Sequence, residues 1–364
     1  MSHQGVSMNT PSSVADFQRM EGDKPFGQHR RNSSRRLREN FRDEYQRGSS
    51  RTNSSLMVDQ GDANHDKTDK LNDEEEEEIY IVRQDYGYLS IFFSVVQTII
   101  LGLMMWQCGV APMSINPMIG PYPDALSEWG GKNSVLIIED DQWYRLLTPI
   151  LLHAGIIHLF CNVAVQLETG VFFEREWGSV RWLIIYLGSA LGSSILSVIM
   201  MPDAVSVGSS GAVMGLFGGK LAEVIMRMCE RTDTEQSRIG HQVRKEQCMA
   251  VTCSVTLVMA FSFIPYVDWA AHLGGLISGL VVGICLFAWD MHLIGWQLFW
   301  FLAGAALVFA AFSTALAHMY SGDIEASEEL YDVCGYYQKQ FDDYECKCMR
   351  EEYLNNLNNR ENGE

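Results

Sequence analysis

"VSVGSSGAVMGLFGG", Val205 to Gly219, is apolar enough to lie in a bilayer, yet two glycines, Gly208 and Gly211, bracket two serines near its start, Ser209 and Ser210. Small residues let membrane helices approach closely, so packing alone accounts for such a cluster. Whether the serines do more depends on what the rest of the chain brings to them.

The chain has 364 residues, a formal net charge of -18 and 47% hydrophobic residues, and these averages hide a segregated distribution. From Tyr88 to about His318 nearly every long window is apolar, while residues 1–86 and 319–364 carry most of the charge. A span of about 20 apolar residues crosses a hydrocarbon core roughly 30 Å thick. Seven are read: Tyr88–Gln107, Ala154–Phe172, Val180–Met201, Val205–Met226, Met249–Tyr266, Trp269–Trp289 and Trp296–His318. The fifth and sixth are separated only by Pro265 and Asp268. The fold class is therefore an all-α polytopic membrane protein with polar ends.

Positive charge sets orientation. "HRRNSSRRLRENFR", His29 to Arg42, precedes the first span, and the loop after the fourth carries Arg227, Arg231, Arg238, Arg244 and Lys245. The long loop Cys108 to Thr148 has only Lys132 and Arg145. The N-terminus is expected in the cytosol and the C-terminus, seven spans later, in the lumen or outside the cell. The sequons at Asn32 and Asn53 then stay unglycosylated. No cleavable signal core precedes the first span, and the "DEEEEE" run, Asp73 to Glu78, argues against a mitochondrial presequence. Residues 1–86 read as a disordered arm, polar and almost free of aromatics. Cys161, Cys253 and Cys285 fall inside spans as apolar fillers. Cys334, Cys346 and Cys348 lie in the tail, and Cys108 in the first lumenal loop makes a fourth, so disulfides tying the tail to itself or to that loop are expected. Three pairings are open.

Polar residues gather at the lumenal ends of three spans. Span two has His153, then His158 and Asn162 one turn apart on one face; span four has Ser209 and Ser210; span six has His272. Because even-numbered spans all enter from the same side, these groups sit at one level, roughly 5–12 Å deep. Intramembrane histidine is costly and marks function. Lys220 and Glu223 lie at the other end of span four, where snorkelling explains them. Gly211 and Gly215 on span four, and Gly275 and Gly279 on span six, form small-xxx-small faces that bring two backbones together. Ser210 can then meet His272, and a serine hydroxyl becomes a nucleophile when an imidazole accepts its proton. No acid at this depth completes a triad, so a dyad is expected, with Asp268 marking the membrane border. His158, Asn162 and the Ser210 amide can donate to an oxyanion.

Jointly, "GSSG" (Gly208 to Gly211), "HLGGLISG" (His272 to Gly279) and "HLFCN" (His158 to Asn162) resemble the motifs of the rhomboid family of intramembrane serine proteases, over about Trp106 to Trp289. The resemblance implies a rhomboid-like six-helix core, residues 87–290, plus a seventh transmembrane helix, 291–318, and an acidic Cys-containing tail, 319–364. It implies Ser210 as nucleophile, His272 as base, His158 and Asn162 at the oxyanion hole, and Ser209 as a bystander. Gly208, Gly211, Gly275 and Gly279 would be structural, as would Trp143 and Arg145 in "WYRLLTP" and the pair Glu174 and Arg175 in "FEREWG". The arrangement is similar to the secretory-pathway type, in Golgi, endosome or plasma membrane. One departure is Met214, where many members have an aromatic ring against the histidine.

The implied activity is endopeptidase cleavage of single-span membrane proteins near their lumenal ends, after local unwinding of the substrate helix. The lipid bilayer is the other partner; no nucleic acid, metal or organic cofactor is expected. Activity should fall as His272 protonates in acid. The alternative is a catalytically inactive relative that binds and escorts membrane clients. A transporter is disfavoured, since there is no internal repeat and the polar residues lie near one face rather than the midplane. H-E-x-x-H and G-x-S-x-G are both absent.

Overall fold

Long helices form where the apolar runs predict them, and the side chains that cap helix starts come from the residue just before the helix or, at Tyr88–Cys108, from Glu174 of a neighbouring element. The computed structural model describes residues 83–228, 235–263, 267–291, 293–322, 324–341, 344–346 and 348. All of these belong to one compact unit, Glu75–Glu364. Of the N-terminal arm, residues 1–82, with the arginine cluster, the acidic run and both sequons, lie outside the described residues.

The helices are α1 Tyr88–Cys108, α2 Pro123–Glu128, α3 Ser134–Ile138, α4 Ile156–Val165, α5 Val171–Trp177, α6 Ser179–Met200, α7 Ser210–Met228, α8 Glu235–Phe261, α9 Trp269–Phe287, α10 Ile294–Met319 and α11 Val333–Gln340. A π turn, Gln166–Gly170, joins α4 and α5 into one rod. Among the described residues there is no strand, only the isolated antiparallel bridge of Lys132 with Ser206. Five segments are long and apolar enough to cross a membrane: Tyr88–Cys108, Ile156–Trp177, Ser179–Met200, Trp269–Asp290 and Ile294–Met319. The fourth and fifth expected spans also form helices, α7 and α8, without reaching that apolarity. Protein surrounds α7, which therefore needs no lipid-compatible surface and tolerates Lys220 and Glu223. α8 starts well before Met249, so Arg238, Arg244 and Lys245 sit on helix rather than in a loop.

Glu174 opens α1. Its carboxylate accepts from the Leu89 N–H at 2.9 Å, the Ser90 N–H at 2.8 Å and the Ser90 hydroxyl at 2.9 Å, satisfying first-turn amides that have no helical acceptor. Further along, Gln166 at the π turn donates to Ser94 Oγ at 2.8 Å and accepts from Tyr186 at 2.9 Å. This buried network joins α1, the α4–α5 rod and α6, as buried polar groups require partners.

At the centre α7 is clasped between α6 and α9. A Cβ on Gly275 would lie 1.9 Å from the Gly211 carbonyl oxygen, and one on Gly279 would lie 1.9 Å from that of Gly215. On the other flank, Ser193 and Ser189 of α6 fill the space beside Gly211 and Gly215. Lower on α7, Lys220 does not snorkel: its side chain is 1% exposed and bridges Glu176 at 2.7 Å and Glu223 at 2.8 Å. Enclosed by protein, the ammonium cannot reach water, and Glu176 of α5 together with Glu223 of α7 itself supplies the counter-charge.

The first loop, residues 109–147, is held from within and from the tail. Arg145 donates to the carbonyls of Ser127 at 2.5 Å and Gly131 at 3.0 Å. Lys132, also buried, donates to the carbonyls of Met201 and Ala204, each at 2.7 Å, which ties the loop to the segment leading into α7. The tail folds back over this surface: Asn133 donates to the Leu330 carbonyl at 2.8 Å, and Tyr344 donates to Asp124 at 2.5 Å. Disulfides pair Cys108 with Cys348 and Cys334 with Cys346, one tie to the first span's end and one within the tail. Burial raises the Asp124 carboxyl above the usual carboxylate range.

Three outcomes follow from this packing. Alkylation of the denatured, unreduced protein should leave Cys108, Cys334, Cys346 and Cys348 unmodified by mass spectrometry and modify all four after reduction. Gly275→Ala should destabilise the bundle by about 1–3 kcal/mol, the range for forcing atoms into a filled interior, read as a lower unfolding midpoint in detergent. Burial lowers Lys132 from the usual 10.5 to about 8, so between those values the folded state binds fewer protons than the unfolded. Its contribution to stability therefore rises with pH across that window, and wild type should gain stability relative to Lys132→Met as pH is raised through it.

Candidate active site

Ser210 is the first residue of α7, His272 the fourth of α9, and His158 and Asn162 the third and seventh of α4. Three helix N-terminal ends thus converge. The segment Val205–Ser209, expected inside the fourth span, is instead non-helical: Gly208 has φ +124°, a region that favours glycine. Its N–H donates to the Pro149 carbonyl at 2.9 Å. A Cβ here would also lie 2.9 Å from His158 Cε1, so glycine is required by both conformation and space.

Ser210 Oγ lies 2.7 Å from His272 Nε2. Asp268 does not touch the imidazole but caps α9, accepting from the Ala271 N–H at 2.8 Å and the Ser197 hydroxyl at 2.5 Å. On the far side of His272, Nδ1 lies 2.5 Å from Ser262 Oγ, just past α8. Ser262 was not singled out by the sequence: one serine in "FSFIPYVDWAAH", Phe261 to His272, carries no distinguishing signal.

His158 Nδ1 accepts from the Ala154 N–H at 3.4 Å, which leaves Nε2 as the proton-bearing nitrogen, on the side of Gly208. Asn162 Nδ2 donates to the His158 carbonyl at 2.9 Å, and its Oδ1 accepts from Ser209 at 3.3 Å. Ser209 is fully buried, and its contact with the cluster is this hydrogen bond to the Asn162 amide oxygen. His153 is buried edge-on to His158, ring centroids 5.3 Å apart. Met214, one turn below Ser210, is buried in the main core.

The remaining expected residues lie away from this cluster. Gly211, Gly275 and Gly279 set the α7–α9 approach. Arg145 braces the first loop from inside, while Trp143 is exposed. Glu174 caps α1 with its carboxylate, while Arg175, whose side chain is exposed, accepts at its carbonyl from the Arg83 N–H just before that helix. No group of three or more His, Cys, Asp or Glu among the described residues could hold a metal ion.

Chemically, a hydroxyl in contact with an imidazole, facing a second imidazole that presents an N–H, has the parts for acyl transfer. A protein-family model described as "Rhomboid domain" matches residues 140–289. The chain is 31% identical over 191 residues to "RHOMBOID-like protein 6, mitochondrial" of Arabidopsis thaliana, covering 52% of this chain and 57% of that one. It is 30% identical over 229 residues to "RHOMBOID-like protein 7" of the same plant, covering 57% and 69%. To "Rhomboid-like protease 3" of Toxoplasma gondii it is 32% identical over 146 residues, covering 40% and 52%. Another match, 29% identical, is named "Inactive RHOMBOID-like protein 8". The chain spans 57%, 41% and 42% of the lengths of the first three curated relatives it matches. With the fold, the spacing of its motifs and these matches together, the chain belongs to the rhomboid family of multi-pass membrane proteins.

Proposed function

We propose that the protein is an intramembrane serine endopeptidase that hydrolyses peptide bonds in or near the membrane segments of single-span proteins. The observation that carries this reading is the 2.7 Å contact between Ser210 Oγ and His272 Nε2 at the converging ends of α7 and α9. His272 Nε2 takes the serine proton as Oγ attacks the scissile carbonyl, and returns it to the leaving amine; a water then repeats the cycle on the acyl-enzyme. The carbonyl oxygen, becoming an anion, is received by His158 Nε2–H and by the Ser210 amide in the first turn of α7, where the helix dipole favours negative charge. Asn162 spends one amide proton on the His158 carbonyl and has a second for the oxyanion.

The substrate must present an unwound strand, because a helix hides its carbonyls in its own hydrogen bonds. Paired cysteines that join the first loop and tail to the side bearing Ser210 support an oxidising, lumenal or extracellular location for the site. The cytosolic N-terminus and a secretory-pathway membrane belong to the same reading, as does the division into an N-terminal arm, a core of residues 87–290, a seventh helix and a tail. A second reading, a client-binding relative without catalysis, draws on the similarity to a protein named inactive.

Cleavage of single-span reporters in reconstituted membranes separates the two. Wild type should cut, Ser210→Ala and His272→Ala should lose at least a thousandfold, and His158→Ala about a hundredfold, the scale for one oxyanion donor. Ser209→Ala should retain activity within about tenfold, as expected for one neutral hydrogen bond. The rate should fall on acidification as the base is protonated. A wild type inert on a panel of substrates with helix-weakening residues would favour the client-binding reading.

A further inference from the structure

His272 has two ring nitrogens, and only one of them faces Ser210. For that nitrogen to act as a base it must carry the lone pair, so the other must carry the proton and needs an acceptor. The acceptor is set by Ser262. Its Oγ lies 2.5 Å from Nδ1 and 2.7 Å from the carbonyl oxygen of Val258, one turn earlier. A hydroxyl has one proton and two lone pairs. With its proton on the Val258 carbonyl, Ser262 can only accept from the imidazole. That fixes Nδ1–H on one side of the ring and leaves the lone pair of Nε2 toward Ser210. The reverse assignment, with Ser262 donating to Nδ1, would give Nε2 the proton and take the base away.

We infer that Ser262 is a positioning residue that selects the reactive tautomer of His272 and fixes its ring plane, filling by a neutral hydroxyl the role that a carboxylate fills in a triad. The inference rests on the reading of Ser210 and His272 as nucleophile and base. Ser262 is 1% exposed and held to α8 both by its hydroxyl and by its N–H, which donates to the Val258 carbonyl at 2.9 Å. A buried hydroxyl with both functions engaged is a fixed reference for the ring. A neutral acceptor also suits this site: Asp268, the nearest acid, is committed to the α9 cap and to Ser197. A second carboxylate buried beside the ring would be costly without a charged partner. When His272 takes the serine proton, the Nδ1–H bond persists, so the hydroxyl stays engaged in both protonation states and nothing has to rearrange.

The test is the rate at which a fluorophosphonate phosphonylates Ser210 Oγ, with fluoride leaving, in the full-length protein, resolved into a binding constant and a maximal rate, so that no natural substrate is needed. The variants are Ser262→Thr, which keeps the hydroxyl, and Ser262→Val, which has the same shape without it. Melting midpoints of the two report folding. The expected result is labelling of wild type and of Ser262→Thr within about threefold, and a maximal rate at least tenfold lower in Ser262→Val with an unchanged binding constant. Equal maximal rates for the Thr and Val variants would overturn the role of Ser262 while leaving the dyad intact, and so would a loss confined to binding. Failure of wild type to label above Ser210→Ala would remove the nucleophile itself, and the inference with it.

Discussion

The site depends on how closely the backbones of α7 and α9 approach. In a bilayer, hydrophobic burial does not drive helices together, because lipid tails are as apolar as the side chains they would replace. Contact therefore has to come from van der Waals packing, and here it does so without side chains: Gly275 lies against the Gly211 carbonyl and Gly279 against that of Gly215. Serine is short, so Ser210 Oγ reaches His272 only if the helix axes are near. The same four glycines that look like packing residues are thus what makes the polar contact geometrically available. Ser193 and Ser189 of α6 close the other side of α7, fixing its rotation as well as its distance, and so the direction in which Ser210 faces.

On the inference drawn from Ser262, the two histidines of the site are held in opposite tautomers, one by a backbone N–H and the other by a hydroxyl. At His158 a backbone N–H donates to Nδ1, leaving Nε2 to donate. At His272 the inferred arrangement has the Ser262 hydroxyl, 2.5 Å away, accept from Nδ1, leaving Nε2 to accept. One ring is therefore prepared to stabilise negative charge and the other to receive a proton, although both are imidazoles of the same cluster, His272 buried and His158 half-buried. The difference comes from a group one turn before His158 in the first case, and from the residue just past α8 in the second. An electrostatic division of labour that elsewhere uses ionised side chains is achieved with neutral groups, which are cheaper to bury.

What the sequence made legible is what repeats with helical period or sits within one motif. Ser210, His272, His158 and Asn162 could be placed because each lies near the start of an apolar run and the runs alternate in direction; the glycine pairs declared themselves by their four-residue spacing. Groups that reach the site across the fold could not be placed. Ser262 is one hydroxyl among several near the end of α8, and only tertiary packing sets it against Nδ1. Lys132 counted in the sequence only toward the sparse positive charge of a long loop, and is a crosslink to Met201 and Ala204. Lys220 looked like a snorkelling lysine because one of its two counter-ions, Glu176, comes from a different helix and the burial around it is tertiary. The boundary of the fourth span was misplaced for a local reason: Val205 and Val207 continue the apolar run, and hydropathy does not register that Gly208 turns the chain at positive φ.

That turn explains why so much apparatus outside the helices is devoted to the first loop. A nucleophile in the middle of a helix would have its amide hydrogen-bonded to the preceding turn. At the first position the amide has no helical acceptor and remains for an oxyanion, but helix starts fray and their position is set by whatever precedes them. Here the preceding segment is anchored on both sides: Ser206 pairs with Lys132, and Gly208 donates to Pro149. Those anchors belong to a loop that is itself braced by Arg145 and covered by a tail joined through Cys108–Cys348. The order of dependence runs from tail to loop, from loop to the strand-like lead into α7, and from there to the first amide of the helix. Precision at Ser210 is thus supplied from outside the membrane helices, while its distance from His272 is supplied from within them.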